Sequence, residues 1–267
     1  MEGTGKIVTV KLFECGYCVN DLGHVFKGYR SEKRRFPALA VLLKHSELGC
    51  ILYDTGYSKL IYDNKLVSKI YNLLNRTYVA ETDMISSKLM ENEINPSEIK
   101  NIILSHAHPD HIAGLKYFRD YELVSTPVVL NTLCTGNAFD LVFKNMIPTS
   151  GVKLRALKPY KGSTIFDGYF DRIFDVFGDG SVIGVELNGH AQGQLGIYIP
   201  GYELFFAADA CWGEDLMKYV GRMRLIPRLI QDSYRQYRET IITLKRFSKD
   251  YPGIRIIYSH GRSENEQ

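Results

Sequence analysis

The 267-residue sequence predicts an α/β layered domain in which two sheets are covered by helices. Three observations lead there. Short β-rich runs gather toward both ends of the chain. Two longer stretches between them repeat apolar residues at helical spacing. A composition that is 45% hydrophobic and 24% charged is enough to bury a full core. One domain over 1–267, with helical inserts near 57–97 and 212–250, is the expected organisation.

At 7–12, "IVTVKL" alternates as a strand, and "ALAVLLKH" and "CILYDTG" read as two buried strands joined by a short loop at 46–49. "SKLIYDNKLVSKIYNLLN" and "DMISSKLMENEI" carry helical periodicity until Asn95-Pro96 breaks it. "IKNIILSH" is a strand ending on a histidine cluster, and "IAGLKYFRD" reads as helix after it, so the cluster sits at a strand-to-helix turn. "TPVVLN", "DRIFDVF", "SVIGVEL", "LGIYIPG" and "LFFAADA" supply further strand candidates, separated by turn signals such as Gly178-Asp179-Gly180 and Pro200-Gly201. A helical pattern returns at 212–250, interrupted at Pro227, before "IRIIYSHG" adds a last strand ending at His260.

Composition narrows the function classes. With 33 basic against 30 acidic residues, the net charge of +3 does not by itself point to nucleic acid or a membrane surface. No basic segment followed by an apolar core opens the sequence, and no run approaches the roughly 18 apolar residues of a membrane span, so a cytoplasmic, soluble protein is expected. Five scattered cysteines (Cys15, Cys18, Cys50, Cys134, Cys211) do not form a disulfide framework. Cys15 and Cys18 make a lone C-x-x-C, readable as a redox pair or as structural thiols.

The densest chemistry lies in "ILSHAHPDHIAG" (103–114), which packs three histidines and an aspartate into positions 106–111. His106 and His108, two apart in an extended segment, project to one side and can grip one ion. Asp110 and His111 follow at the turn and can serve a second. Three more donors follow apolar strands: His190 in "LNGHAQGQ", Asp209 in "FFAADACW" and His260 in "IIYSHG". Imidazole and carboxylate donors suit zinc first, with manganese or iron open to the same set. Two such cations lower the pKa of a shared water and polarise a substrate oxygen, which makes ester, lactone, amide or phosphodiester hydrolysis accessible.

The H-x-H-x-D-H cluster, the Gly-His after a strand, the Asp closing an apolar strand and the late strand-end His together resemble the metallo-β-lactamase superfamily of hydrolases, in order and rough spacing from Asp54 to His260. The resemblance implies a four-layer αββα sandwich. It implies one metal held by His106, His108 and His190, another by Asp110, His111 and His260, Asp209 bridging both, and a hydroxide between them as nucleophile attacking a carbonyl. Asp110 doubles as a candidate acid-base residue. Asp54 in "LYDTG" matches the family aspartate that braces a ligand histidine, although Asp-Thr-Gly is also an ordinary turn.

Within that superfamily, "FPALAVLLKH", "GCILYDTGYS" and the helical inserts look most like the N-acyl-homoserine lactonase branch. There a tyrosine follows the bridging aspartate by three positions. Here that position is Trp212, whose indole can donate a hydrogen bond but cannot act as a phenol. Trp212 either walls a substrate pocket or packs in the core. Between 218 and 249, nine basic residues face two acidic ones, a cap for an anionic substrate or a solvated helix face. The expected partner is a small ester or lactone, without nucleic acid or membrane and with a homodimer left open. The competing readings are a phosphodiesterase or nuclease of the same superfamily, a catalytically silent metal-binding protein, and a thiol redox protein centred on Cys15 and Cys18.

Overall fold

The computed structural model describes residues 5–63 and 65–261, so both ends of the expected domain lie outside the described residues. Two compact units emerge, one of residues 8–20 and 35–156 and the other of 1–7, 21–34 and 157–267. Each carries its own sheet.

The first unit is built on a seven-stranded mixed sheet. Its strands are β1 (Ile7–Asp21), β2 (Lys33–His45), β3 (Gly49–Tyr53), β4 (Thr77–Tyr78), β5 (Asn101–Ile103), β6 (Tyr121–Ser125) and β7 (Val152–Ala156), in the order β4-β1-β2-β3-β5-β6-β7. The tight turn after His45 pairs β2 with β3 antiparallel, and β3, β5, β6 and β7 then run parallel. Strands covered on both faces read as unbroken apolar runs, which is why Cys50-Ile51-Leu52-Tyr53 is buried throughout. The core beneath joins Leu52, Ile102, Leu104 and Leu123 to Ile85, Leu89 and Ile112.

The second unit is built on a five-stranded sheet. Its strands are β8 (Ile173–Asp175), β9 (Ile183–Glu186), β10 (Leu195–Ile199), β11 (Leu204–Phe206) and β12 (Arg255–Ile257), in the order β12-β11-β10-β9-β8. Only the β11–β12 pair is parallel. The helix Tyr234–Asp250 covers this unit's core, and its Phe247 stacks on Phe166 with centroids 4.9 Å apart.

Some elements differ from expectation. "TPVVLN" is no strand but the start of the helix Pro127–Thr135: Thr126 caps it by accepting from Val129 N–H, and Pro127 takes the first position, where its missing N–H costs nothing. The short strands β6 and β7 escape the apolar-run criterion because they alternate with polar residues; Glu122 of β6 pairs with Arg155 of β7 across the ladder. Pro227 does not interrupt a helix; it sits inside the short helix Leu225–Leu229, in a first turn that needs no N–H from it. The region 57–97 does hold the helices Leu66–Asn75 and Ile85–Glu91. The apolar stripe that announced the first of these points outward: Leu66, Ile70, Leu73 and Leu74 are all exposed. Among the described residues no helix is long and apolar enough to cross a membrane.

Candidate metal centre

In the unit of the seven-stranded sheet, β3 and β5 are parallel neighbours, so the segments leaving their carboxyl ends emerge at one edge. Asp54 leaves β3 in a left-handed conformation (φ 59°), with its N–H bonded to Ile103 O at 2.9 Å. Gly56 shortly after adopts φ 64°, and a Cβ there would meet Cys15 Cβ at 2.1 Å, so the third residue of Asp-Thr-Gly must be glycine. Thr55 between them staples the cluster: its N–H and hydroxyl both donate to His111 O, at 3.0 and 2.7 Å.

After β5, Ser105 and His106 are fully buried, and a one-turn helix Pro109–Ile112 begins inside the cluster itself. His108 occupies the N-cap and Pro109 the first position. Asp110 and His111 are therefore helical, rather than on the turn the spacing suggested. His111 Nδ1 lies 2.7 Å from Asp54 Oδ2, and Ser105 donates to the same carboxylate twice, N–H to Oδ1 at 2.8 Å and hydroxyl to Oδ2 at 2.7 Å. The carboxylate accepts, so His111 carries a proton on Nδ1, and in the neutral ring that a metal ligand requires Nε2 is the lone pair, 3.6 Å from Asp110 Oδ2. Because the Ser105 proton goes to Asp54, its oxygen accepts from His106 Nδ1 at 3.0 Å, which leaves His106 Nε2 as a lone pair too. The His106 ring centroid lies 4.5 Å from that of His108 and 4.0 Å from that of His111.

In the unit of the five-stranded sheet, the parallel β11–β12 pair brings Asp209 and His260 to a common edge. Ala208 turns the chain there with φ 46°, and Ser259 N–H bonds Ala208 O at 3.0 Å. One oxygen of buried Asp209, Oδ2, lies 2.8 Å from His260 Nε2 and 3.4 Å from His190 Nε2. His190 Nδ1 meets Gln231 Oε1 at 2.9 Å, so this imidazole also presents Nε2. Gly189, at φ 128°, lets the loop lie against the helix Tyr234–Asp250, since a Cβ would come within 2.1 Å of Tyr237 N. Trp212 is half-buried, its ring 6.2 Å from that of His190. Arg34 shares its Nη1 between both carboxylate oxygens of Asp215, at 3.0 and 2.8 Å, and its Nη2 reaches Trp212 O at 3.5 Å.

Each unit thus gathers the candidate residues it carries: Asp54, His106, His108, Asp110 and His111 in one, and His190, Asp209, His260 and Trp212 in the other. The donor set fits divalent cations. In His111 and His190 a lone-pair nitrogen faces a carboxylate oxygen at 3.6 and 3.4 Å, a repulsive arrangement that a cation between the two makes attractive. Sequence reasoning missed Ser105 and Gln231. Ser105 could have been found as the hydroxyl beside the cluster; Gln231 carries no motif at all.

Other candidate groups recede. Cys15 is buried and donates to Phe13 O, and burial pushes its thiol up to about 12, far from a reactive thiolate. In the basic stretch, Arg224, Arg228 and Arg246 donate to the backbone carbonyls of Gly23, Met223 and Gly168, and Arg235 pairs with Glu239. The first three thus brace the backbone, while the Arg235–Glu239 pair lies in solvent. Tyr237 is fully buried and accepts from the backbone N–H of Trp212; burial raises its phenol well above the usual range.

Fold, strand-end donors and fixed imidazoles agree with a match of the Metallo-beta-lactamase superfamily profile over residues 34–260. The chain belongs to that superfamily. Among related proteins, cytochrome P450 monooxygenase mpaDE' of Penicillium brevicompactum is 30% identical over 198 residues, 66% of this chain and 23% of that protein; the chain thus spans under a quarter of its length. An N-acyl homoserine lactone hydrolase, solved with N-hexanoyl-L-homoserine at its catalytic metal centre, superposes with a TM-score of 0.71 and 17% identity, over 98% of this chain and 96% of that one. AidC, a dizinc quorum-quenching lactonase, superposes with a TM-score of 0.63 and 16% identity, over 97% and 90%. At these identities the likeness is one of fold.

Proposed function

We propose that the chain is a hydrolase of small esters or lactones that works with two divalent cations, zinc first. His106, His108 and His190 would hold one, Asp110, His111 and His260 the other, with Asp209 shared. The observation that carries this reading is the common tautomer of three imidazoles. His106, His111 and His190 each commit Nδ1 to an oxygen and keep Nε2 for a cation. The reading treats the two units as one hydrolase domain over 1–267 with inserts near 57–97 and 212–250.

The bound cations supply a water of lowered pKa and polarise the substrate carbonyl. The chain's own residues do the rest. Asp110 takes the proton released on attack and returns it to the leaving oxygen. Trp212, beside His190, walls the substrate side and offers its indole N–H in place of the phenol at that position in the lactonases. The lactonase products named for the similar structures support an ester or lactone over a phosphodiester. Five cysteines that form no disulfide among the described residues agree with a reducing, cytoplasmic setting.

Metal content per chain by plasma mass spectrometry, beside a panel of lactones, aryl esters and bis-aryl phosphodiesters with and without chelator, tests this. Two cations per chain with chelator-sensitive ester or lactone turnover is the expected result. Turnover of phosphodiesters alone would replace the bond class. No metal after reconstitution would overturn the assignment.

A further inference from the structure

We infer that Gln231 is a positioning residue for His190: its side-chain oxygen fixes the imidazole as the Nδ1–H tautomer and leaves Nε2 for the cation that this histidine would hold. The inference rests on the metal reading above and names a residue that this reading does not use.

Gln231 is built for the task. It is buried, and its Nε2 donates to Pro227 O at 3.0 Å, which fixes the amide's orientation and leaves only Oε1 for His190. A carbonyl oxygen cannot donate, so the 2.9 Å contact places the proton on His190 Nδ1. Its own N–H is tied to Arg228 O at 3.2 Å. The residues that follow hold the histidine's loop: Asp232 N–H to His190 O at 3.0 Å, Ser233 N–H to Gly189 O at 2.9 Å, and the Thr240 hydroxyl to Asn188 O at 2.6 Å. The loop's position is therefore secured by several bonds, whereas the ring's tautomer depends on Gln231.

The chemistry of the brace also matters. Asp54 braces His111 with a full negative charge, which strengthens the imidazole as a donor; Gln231 braces His190 with a neutral amide. A cation held through His190 would accordingly be the more exchangeable of the two.

Two variants separate the acceptor from the packing. Gln231→Met keeps the length and removes the acceptor, while Gln231→Glu keeps an acceptor oxygen. Both remove the amide N–H bonded to Pro227. Zinc-loaded proteins are titrated with a competing chelating dye. Wild type should release its zinc in two phases. Gln231→Met should weaken the more labile phase by about 10–100-fold, the usual effect of losing an outer partner of a metal-bound histidine. Gln231→Glu should stay within a few-fold of wild type or bind more tightly, and the tighter phase should not move in either variant. Equal weakening in both variants, or none, would overturn the inference. Long-range proton–nitrogen NMR of His190 in metal-free wild type gives a readout independent of metal and of variant folding. A neutral ring protonated at Nδ1 supports the assignment, and a neutral ring protonated at Nε2 overturns it. Should wild type bind no metal, the functional proposal falls while this measurement still decides what Gln231 does to His190.

Discussion

The two donor sets are assembled in opposite ways. The first is local: three histidines and an aspartate lie within 106–111, and one carboxylate, Asp54, fixes two imidazoles, one directly and one through Ser105. The second is dispersed. His190, Asp209 and His260 come from three separate segments, and the brace of His190 lies in the turn before the helix Tyr234–Asp250. The local set concentrates its dependence on one buried charge. The dispersed set spreads it over loop geometry, a glycine and an amide, so equivalent injuries should cost the two sets differently.

The largest effect should come from Asp54→Ala. Three buried donors, His111 Nδ1–H and the N–H and hydroxyl of Ser105, lose their acceptor at once. At roughly 1–3 kcal/mol per buried unsatisfied group, partly relieved by rearrangement, the variant should lose about 3–5 kcal/mol of stability in urea unfolding. Metal affinity should drop about 10–100-fold alongside. A loss under 1 kcal/mol would mean that the local set does not hang on this carboxylate.

Gly189→Ala strikes the dispersed set. A Cβ would lie 2.1 Å from Tyr237 N and 2.3 Å from its Cα, backbone atoms of the helix Tyr234–Asp250 that cannot step aside alone. Either the loop carrying His190 or the helix must shift, at a cost of about 2–3 kcal/mol by equilibrium unfolding. The shift moves His190 relative to Asp209, so zinc affinity should fall as well. Unchanged stability would show that the loop can move without the helix.

The same contrast explains how much was legible in the sequence. A local set announces itself, because four metal-capable side chains in six positions have no packing explanation. The dispersed donors were legible only as residues closing apolar strands, a signal that works for Asp209 because Phe205, Phe206 and Ala207 before it are buried, and for His260 because Ile256, Ile257 and Tyr258 keep an apolar run although β12 itself is only partly covered. Other elements answered to local chemistry that an apolar pattern hides. "TPVVLN" has β-branched residues and still forms a helix, since the Thr126 cap and Pro127 outweigh a weak strand preference. β6 and β7 alternate too mildly to stand out, and the exposed stripe of the helix Leu66–Asn75 shows that helical periodicity reveals a helix without saying which face is buried. Gln231 was beyond reach. A lone glutamine in a turn has no spacing to read, and its importance exists only because His190 stands 2.9 Å away.

Ser105→Ala gives the smallest effect and the finest division of the local set. It removes the hydroxyl that passes the influence of Asp54 on to His106 but leaves the direct contact with His111 and the backbone bond from residue 105 to Asp54. Stability should fall by only about 1 kcal/mol, the net value of a hydrogen bond whose charged partner keeps other donors. The informative readout is the His106 tautomer by long-range proton–nitrogen NMR. With the hydroxyl gone, His106 should populate both neutral tautomers while His111 stays protonated at Nδ1. A His106 that keeps its Nδ1 proton would mean that the Ser105 oxygen is not the atom that fixes it, and that Asp54 governs one imidazole instead of two.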